Sequence, residues 1–107
     1  MPLPIELNNA LLKQCGITSS CGDLSISQLT SDSRQVRAGG LFAAIKGISG
    51  DGVEHIPTAV EKGAVGVLSR AGVNVPNGVC HLTAENDRLA LAKLAGVIFT
   101  QPEYVVA

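Results

Sequence analysis

The chain has 107 residues, of which 46% are hydrophobic and 16% charged, and its formal net charge is −1. A single domain of this length can bury a substantial core, and the composition is too apolar for a disordered chain. Nucleic acids and anionic membranes are not expected as partners, because they require concentrated positive charge, and single strands also require stacking aromatics; only 3% of residues here are aromatic.

The chain start and the cysteines predict a cytoplasmic protein. No apolar run reaches the roughly 20 residues of a membrane span, and the N-terminus lacks the basic and apolar regions of a secretion signal. Cys15, Cys21 and Cys80 have no CxxC spacing, which favours buried or incidental thiols over a disulfide or a zinc site. His55 and His81 are far apart, so no metal site is expected.

The first half of the chain predicts a helix followed by strands. Apolar spacing indicates a helix over residues 4–14, with Gly16 as its stop. Residues 24–27 alternate like a strand and then lose phase, which predicts a bulge or a strand end. A turn is expected at residues 38–40, and the apolar run at 41–45 predicts a strand buried on both faces.

A glycine-rich loop at residues 46–52 is expected to lead into a second helix. Asp51 and Glu54 have the spacing of a capping pair, so this helix should begin there, run to about Lys62 and stop at Gly63. Its expected buried residues are Ile56, Ala59 and Val60.

Two more strands and a third helix complete the predicted elements. The strands are expected at residues 65–68 and 79–83, and the helix should be capped by Asn86 and ended by Pro102. Its predicted apolar stripe comprises Leu91, Leu94, Ala95, Ile98 and Phe99. Residues 104–107 are strand-like and apolar to the end, which suggests a piece of a longer protein. Strands alternating with helices predict a layered α/β domain.

The common catalytic motifs are absent from the sequence. There is no GxxxxGK[ST] phosphate loop. Gly50-Asp51-Gly52 matches the start of the GxGxxG dinucleotide fingerprint, but His55 stands at the position of the third glycine. No carboxylate pair, nucleophile elbow or metal cluster stands out. We therefore expect no catalytic residues in this chain.

Two polar segments remain as candidate binding elements. Thr30 to Arg34, at the end of a predicted strand, could pair with the polar edge of a heterocycle. The alternative is a turn in which Asp32 bonds its neighbours and Arg34 is solvated. The loop Lys46 to Gly52 could let backbone approach a ligand, with the helix start favouring a phosphate, or could be a plain connection.

A series of linked motifs resembles the first domain of the Mur ligases, and most of all the MurE type. These motifs are Thr30-Ser31-Asp32-Ser33-Arg34, the turn Ala38-Gly39-Gly40, Leu41-Phe42-Ala43-Ala44, Lys46-Gly47, Asp51-Gly52 and Gly63-Ala64. Residues 86–95 and Gln101-Pro102-Glu103 also resemble the helix and connection before the family's central domain. Gly40 replaces the family's usual aspartate, and Val53 stands where histidine or arginine is common.

The resemblance implies a fold, a ligand and a set of contacts. The fold would be a three-layer α/β domain over residues 1–107, with a mixed sheet of about five strands flanked by helices. It would hold the uridine diphosphate end of UDP-N-acetylmuramoyl-L-Ala-D-Glu. The uridine contacts implied by position are Ser31, Ser33, Ile48, Ser49 and Gly50, braced by Asp32, Arg34, Gly47, Asp51 and Gly52.

The same resemblance implies that the chemistry belongs to domains outside this chain. A central domain would use ATP and Mg²⁺ to activate the D-glutamate carboxylate as an acyl phosphate, and the amine of diaminopimelate or lysine would attack it in peptidoglycan precursor synthesis. Residues 1–107 would pack on that domain without a cofactor of their own. The alternatives are the sister ligase that adds D-Ala-D-Ala, a stand-alone nucleotide-binding regulatory module, and a purely structural interaction domain.

Overall fold

The computed structural model of the chain describes residues 5–47 and 50–99. The strands are β1 (Ile5–Leu7), β2 (Thr18–Ser19), β3 (Leu24–Ile26), β4 (Gln28–Thr30), β5 (Gly40–Ala43), β6 (Lys46–Gly47), β7 (Gly50–Asp51), β8 (Gly66–Ser69) and β9 (Cys80–Thr83). The α-helices are α1 (Asn9–Gln14), α2 (Ile56–Glu61) and α3 (Asp87–Phe99), and two 3₁₀ helices span Ser33–Gln35 and Gly52–His55.

Five of the strands form the central sheet, in the order β2-β9-β8-β5-β4. β4, β5, β8 and β9 run parallel, and β2 pairs antiparallel with β9 at the edge. Every residue of β5 is buried, as the apolar run predicted, because this strand lies between two neighbours and is covered on both faces. The prediction of a mixed five-stranded α/β sheet is confirmed.

Alternate residues along the strands build a separate core on each face of the sheet. The core under α1, α3 and the antiparallel pair β1–β3 includes Leu7, Leu12, Ile26, Leu41, Leu68, Leu82, Leu94 and Ile98. The core under α2 comprises Val36, Phe42, Ala44, Ile56, Ala59, Ala64 and Val67. Elements therefore cover both faces, which gives the three layers that were expected.

The first predicted helix is wrong over its initial residues. β1 pairs antiparallel with β3, and Leu7 is completely buried. The helix begins only after Asn8, whose side chain accepts a hydrogen bond from the Leu11 N–H at 2.8 Å. Three residues are too few to separate helical from strand periodicity, so the long-range pairing decided the outcome. The predicted start at Pro4 lies outside the described residues.

The predicted start of the second helix is also wrong. A 3₁₀ turn, Gly52–His55, follows Asp51, and α2 begins only at Ile56. His55 is the N-cap of α2 and makes no side-chain capping bond. Pro57 lies in the first turn of α2, where its missing N–H costs nothing. Ile56 and Ala59 are buried as predicted, and Val60 is partly buried against the same core.

The other predicted elements lie within one or two residues of those observed. The strand predicted at 24–27 ends at Ile26, and residues 28–30 form β4 in the central sheet. The change from one sheet to the other explains why the apolar alternation is interrupted there. Asn86 caps α3 by accepting from the Leu89 N–H at 3.1 Å. The predictions for Pro102 and residues 104–107 lie outside the described residues. None of the helices within 5–47 and 50–99 has the length and apolarity to cross a membrane.

The expectation that all three cysteines are free thiols is wrong. Cys21 and Cys80 form a disulfide although 59 positions separate them in the chain. The pairing of β2 with β9 brings the two residues together, with their Cα atoms 5.6 Å apart. Spacing rules could not show this contact, because it depends on the sheet topology. Cys15 is a buried free thiol, and burial raises its pKa.

Candidate functional site

The two segments singled out in the sequence follow neighbouring strands of the sheet. β4 leads into Ser31–Arg34, and β5 leads into the loop that begins at Lys46. Because β4 and β5 are parallel, both strands finish on the same side of the sheet, the side of the carboxyl ends. That side is where open α/β sheets bind ligands. The topology therefore brings both candidate segments to the side of the sheet where such ligands bind.

A cleft of about 520 Å³ lies at the carboxyl end of β4. The described residues that line it are Ser31, Asp32, Ser33, Arg34, His55 and Thr58. The first four belong to the segment after β4, and the last two belong to the 3₁₀ turn and the first half of α2. The volume falls within the about 300–1,000 Å³ range of small-molecule sites. The cleft is thus large enough for part of a nucleotide.

Asp32 and Arg34 hold the polar segment in a fixed shape. Asp32 Oδ1 accepts from the Arg34 backbone N–H at 3.0 Å and from its Nε at 3.1 Å, while Nη2 donates to Oδ2 at 3.1 Å. Asp32 is also the N-cap of the 3₁₀ helix Ser33–Gln35. These bonds agree with the bracing role expected of both residues, and they also match the local turn that was the alternative interpretation.

Gln28 and Val36 fasten the same segment to the sheet. The Gln28 side chain donates to the Gln35 carbonyl at 2.7 Å and accepts from the Arg37 N–H at 2.9 Å. Val36 is buried in the core under α2. These contacts hold the carboxyl end of the 3₁₀ helix Ser33–Gln35 against the sheet, which helps to set the position of Ser33.

Ser33 combines burial with an unused hydroxyl group. The residue is only 7% exposed, yet its hydroxyl has no hydrogen-bond partner among residues 5–47 and 50–99. No fully buried side-chain oxygen or nitrogen in that part of the chain lacks a partner, so this oxygen retains contact with the cleft. A hydroxyl that reaches the cleft and has no internal partner is available to donate to or accept from a ligand. Ser31, by contrast, is exposed at the cleft rim.

The pKa of Asp32 offers a direct test of this arrangement. Hydrogen bonds from the Arg34 side chain and backbone, together with the charges of Arg34 and His55, hold the pKa of the Asp32 carboxyl below its ordinary value of 3.8. The carboxylate therefore adds stability above that ordinary value, and the contribution disappears as the pH falls through the lower folded-state pKa. We expect an NMR titration to show the low pKa, and Arg34→Ala to raise it.

Arg37→Ala is the matched control for that titration, because Arg37 is an exposed arginine whose side chain is not among those that lower the Asp32 pKa. It should leave the Asp32 titration unchanged. An Asp32 pKa that is the same in the wild type and in Arg34→Ala would contradict the bracing role of Arg34.

The glycine loop is described only in part. Lys46 pairs with Asp51 and Gly47 with Gly50, which makes a short hairpin of β6 and β7. Gly52 then begins the 3₁₀ turn that ends at His55 on the cleft wall. The loop thus leads directly into one side of the cleft. Ile48 and Ser49, two of the predicted contacts, lie outside the described residues.

Sequence reasoning missed His55 and Thr58 as cleft residues. They are three positions apart around the start of α2, so they project from the same side of that segment. This spacing was available in the sequence. It carried no signal by itself, since nothing local shows that α2 packs against the 3₁₀ helix Ser33–Gln35.

A second hollow of about 480 Å³ lies between α1, β2 and α3. Its wall mixes the cations Lys13 and Lys93 with Glu85 and with apolar residues such as Leu89. It contains none of the residues that were predicted to bind a ligand. The cleft after β4 is therefore the stronger candidate, because the predicted contacts Ser31 and Ser33 line it.

Comparisons with known proteins agree with the motifs quoted above. Residues 25–105 match the sequence model of the Mur ligase family, catalytic domain. The chain belongs to the Mur ligase family. Its curated relatives include UDP-N-acetylmuramoyl-L-alanyl-D-glutamate–2,6-diaminopimelate ligases from Geobacter sulfurreducens, 42% identical over 76% of this chain, and from Chelativorans sp., 38% identical over 83%.

This Mur ligase chain spans only a small share of those relatives. It covers 16% of the Geobacter sulfurreducens protein and 19% of the Chelativorans one. Among solved structures, MurF from Acinetobacter baumannii has a TM-score of 0.70 and 22% identity, over 89% of this chain and 21% of that one. At this identity the likeness shows the fold alone, and it agrees with the sheet described above.

Proposed function

We propose that this chain is the amino-terminal, UDP-sugar-binding domain of a MurE-type ligase. It would hold the uridine diphosphate end of UDP-N-acetylmuramoyl-L-Ala-D-Glu while another domain joins diaminopimelate or lysine to the substrate. The relatives at 42% and 38% identity are named as diaminopimelate ligases, which favours this type over the sister ligase that adds D-Ala-D-Ala. A cytoplasmic location is part of the same proposal.

The observation that carries the proposal is Ser33, a largely buried residue that lines a cleft at the carboxyl ends of β4 and β5 and whose hydroxyl has no partner among the described residues. Uracil and ribose both present hydrogen-bonding groups, and Ser33 can donate to or accept from either of them. Asp32 and Arg34 restrict the backbone around this hydroxyl before a ligand arrives. Such preorganisation lowers the entropy cost of binding.

The role of the domain would be binding and orientation rather than bond formation. Contacts to the uridine end supply binding energy far from the reacting carboxylate, and that energy positions the substrate. Within the described ranges, no group of three or more His, Cys, Asp or Glu side chains could hold a metal ion, and the sequence has no phosphate loop. We assign ATP and Mg²⁺ to the remainder of the ligase.

Calorimetric titration with UDP tests the assignment of Ser33. The Ser33→Ala variant should bind UDP about 2- to 10-fold more weakly, because it loses one hydrogen bond of about 0.5–1.5 kcal/mol. Ser25→Ala is the matched control, since that serine bonds Glu6 at 2.8 Å on a strand outside the central sheet. The control should bind like the wild type.

Two results would count against the proposed function. Equal UDP affinity in Ser33→Ala and the wild type would remove Ser33 from the site. An NMR titration in which UDP moves no amide signal of residues 31–34 or 50–58 would favour a structural interaction domain instead. Signal changes confined to those ranges would support the cleft as the binding site.

A further inference from the structure

The Cys21–Cys80 disulfide lies at the amino ends of the parallel strands, on the opposite side of the sheet from the cleft. Cys80 is the first residue of β9, so it lies at the amino end of the parallel strands, whereas the cleft follows the carboxyl ends of β4 and β5. Cys21 is exposed, while Cys80 is only 6% exposed. Both cysteines line one surface hollow, and because Cys21 is the more exposed residue we expect a reagent from solution to attack its sulfur first.

The Ser19 hydroxyl is placed to assist departure of one of these sulfurs. Its oxygen accepts from the Cys21 N–H at 3.3 Å and lies 3.4 Å from Cys80 Sγ, compared with 3.6 Å from Cys21 Sγ. Bonded sulfur atoms carry no hydrogen, so the hydroxyl is the donor, and its single hydrogen can point to one sulfur at a time. The shorter contact is to Cys80. A donor at this position stabilises a thiolate far more than a disulfide sulfur.

We propose that Cys21 and Cys80 form a thiol–disulfide exchange site for low-molecular-weight thiols. An external thiolate attacks Cys21 Sγ, the sulfur–sulfur bond breaks, and Cys80 leaves as a thiolate that accepts a hydrogen bond from Ser19. A second external thiolate then attacks the sulfur of the bound reagent and releases Cys21. In sum, two thiols are oxidised to one small disulfide, and the protein disulfide is reduced to two thiols.

Exchange at this site would control how firmly the edge strand β2 is attached. β2 pairs with β9 at only two positions, and the disulfide follows directly after it. Ser20 adds a backbone bond to the His81 carbonyl at 3.0 Å and a hydroxyl contact to the His81 N–H at 2.9 Å. With so few ladder bonds, the covalent link supplies much of the attachment of residues 18–21. The redox state of the surroundings would then determine how firmly β2 stays attached to β9.

The first experiment counts thiols in the full chain equilibrated with mixtures of reduced and oxidised glutathione. Maleimide labelling should show two thiols appearing together in reducing mixtures and disappearing together in oxidising ones, while the buried Cys15 stays unlabelled in the folded protein. Two thiols that persist after equilibration with oxidised glutathione would overturn the proposal. So would a disulfide that folded protein retains in excess reduced dithiothreitol.

The second experiment tests the part played by Ser19. Ser19→Ala should slow reduction of the disulfide by dithiothreitol about 3- to 10-fold, because the leaving thiolate loses its donor. Ser25→Ala, whose hydroxyl bonds Glu6 instead, is the control and should react at the wild-type rate. Circular dichroism confirms that both variants are folded. Equal rates in Ser19→Ala and the wild type would remove Ser19 from the exchange step.

Attack at Cys21 can also be distinguished from attack at Cys80. With oxidised glutathione, Cys80→Ser should gain one glutathione on Cys21, and folded Cys21→Ser should gain it at least about tenfold more slowly on the buried Cys80. Equal rates in the two variants would contradict the proposed direction of attack. UDP affinity tests the proposed function separately, because the cleft and the disulfide lie on opposite sides of the sheet.

Discussion

Replacing Cys21 with serine is expected to lower the free energy of unfolding by about 4 kcal/mol. The bond joins residues 59 positions apart, so it closes a long loop in the unfolded chain and removes conformational entropy there. Because Cys21 is exposed, serine costs little packing in the folded state. Urea unfolding without reductant measures the change. Such a loss is a large share of the about 5–15 kcal/mol that stabilises a typical domain.

Two controls isolate the covalent bond from the side chains. Wild type in reductant should unfold like Cys21→Ser, and reductant should not change that variant any further. The double variant Cys21→Ser, Cys80→Ala should cost much less than the sum of the single substitutions, because the same bond is lost only once. Wild-type stability that is unaffected when the disulfide is reduced would contradict the prediction.

The elements that could be predicted from the sequence are those whose signals are local. Leu41–Ala43 is a short continuous apolar run, and it became part of the buried interior strand β5. Asn86 precedes an apolar helical stripe and caps α3 as expected. In each case a few adjacent residues contain the physical cause of the structure, so no knowledge of the fold was needed.

The features that could not be predicted depend on residues far apart in the chain. Ile5–Leu7 becomes a strand because it pairs with Leu24–Ile26, and a three-residue segment has no periodicity of its own to show this. The partner of Cys21 is equally remote, since β9 must first join the sheet beside β2. In both cases tertiary contacts override the local pattern.

The candidate site likewise contains residues with a local sequence signal and residues brought in by long-range packing. The residues Asp32, Ser33 and Arg34 were identified from a motif, and the bonds between Asp32 and Arg34 follow from their closeness in sequence. His55 and Thr58 enter the cleft only because α2 packs beside the 3₁₀ helix Ser33–Gln35. One wall of the cleft is therefore encoded locally, and the other is a product of the fold.

The contact between Gly63 and Ala38 joins the segments that carry these two walls, at the amino end of β5. Gly63 ends the segment after α2, and the Gly39 N–H donates to its carbonyl at 3.0 Å. Ala38 and Gly39 form the turn between the 3₁₀ helix Ser33–Gln35 and β5. This contact fixes the distance between α2 and the segment that carries Ser33. A substitution at Gly63 should therefore disturb both the fold and the cleft.

Gly63→Ala is expected to lower the free energy of unfolding by about 3 kcal/mol or more. Gly63 has φ of +108°, and a Cβ there would lie 2.8 Å from Ala38 Cα, so the variant combines backbone strain with a clash against backbone. Gly72→Ala is the matched control, because Gly72 has φ of +86° but nothing within 4 Å of an added Cβ. It should cost only the strain, about 1–3 kcal/mol. Urea unfolding of both variants measures the difference, and UDP titration should show weaker binding for Gly63→Ala alone. Equal stabilities would mean that the contact with Ala38 yields without cost, and the proposed coupling between the two walls of the cleft would then be wrong.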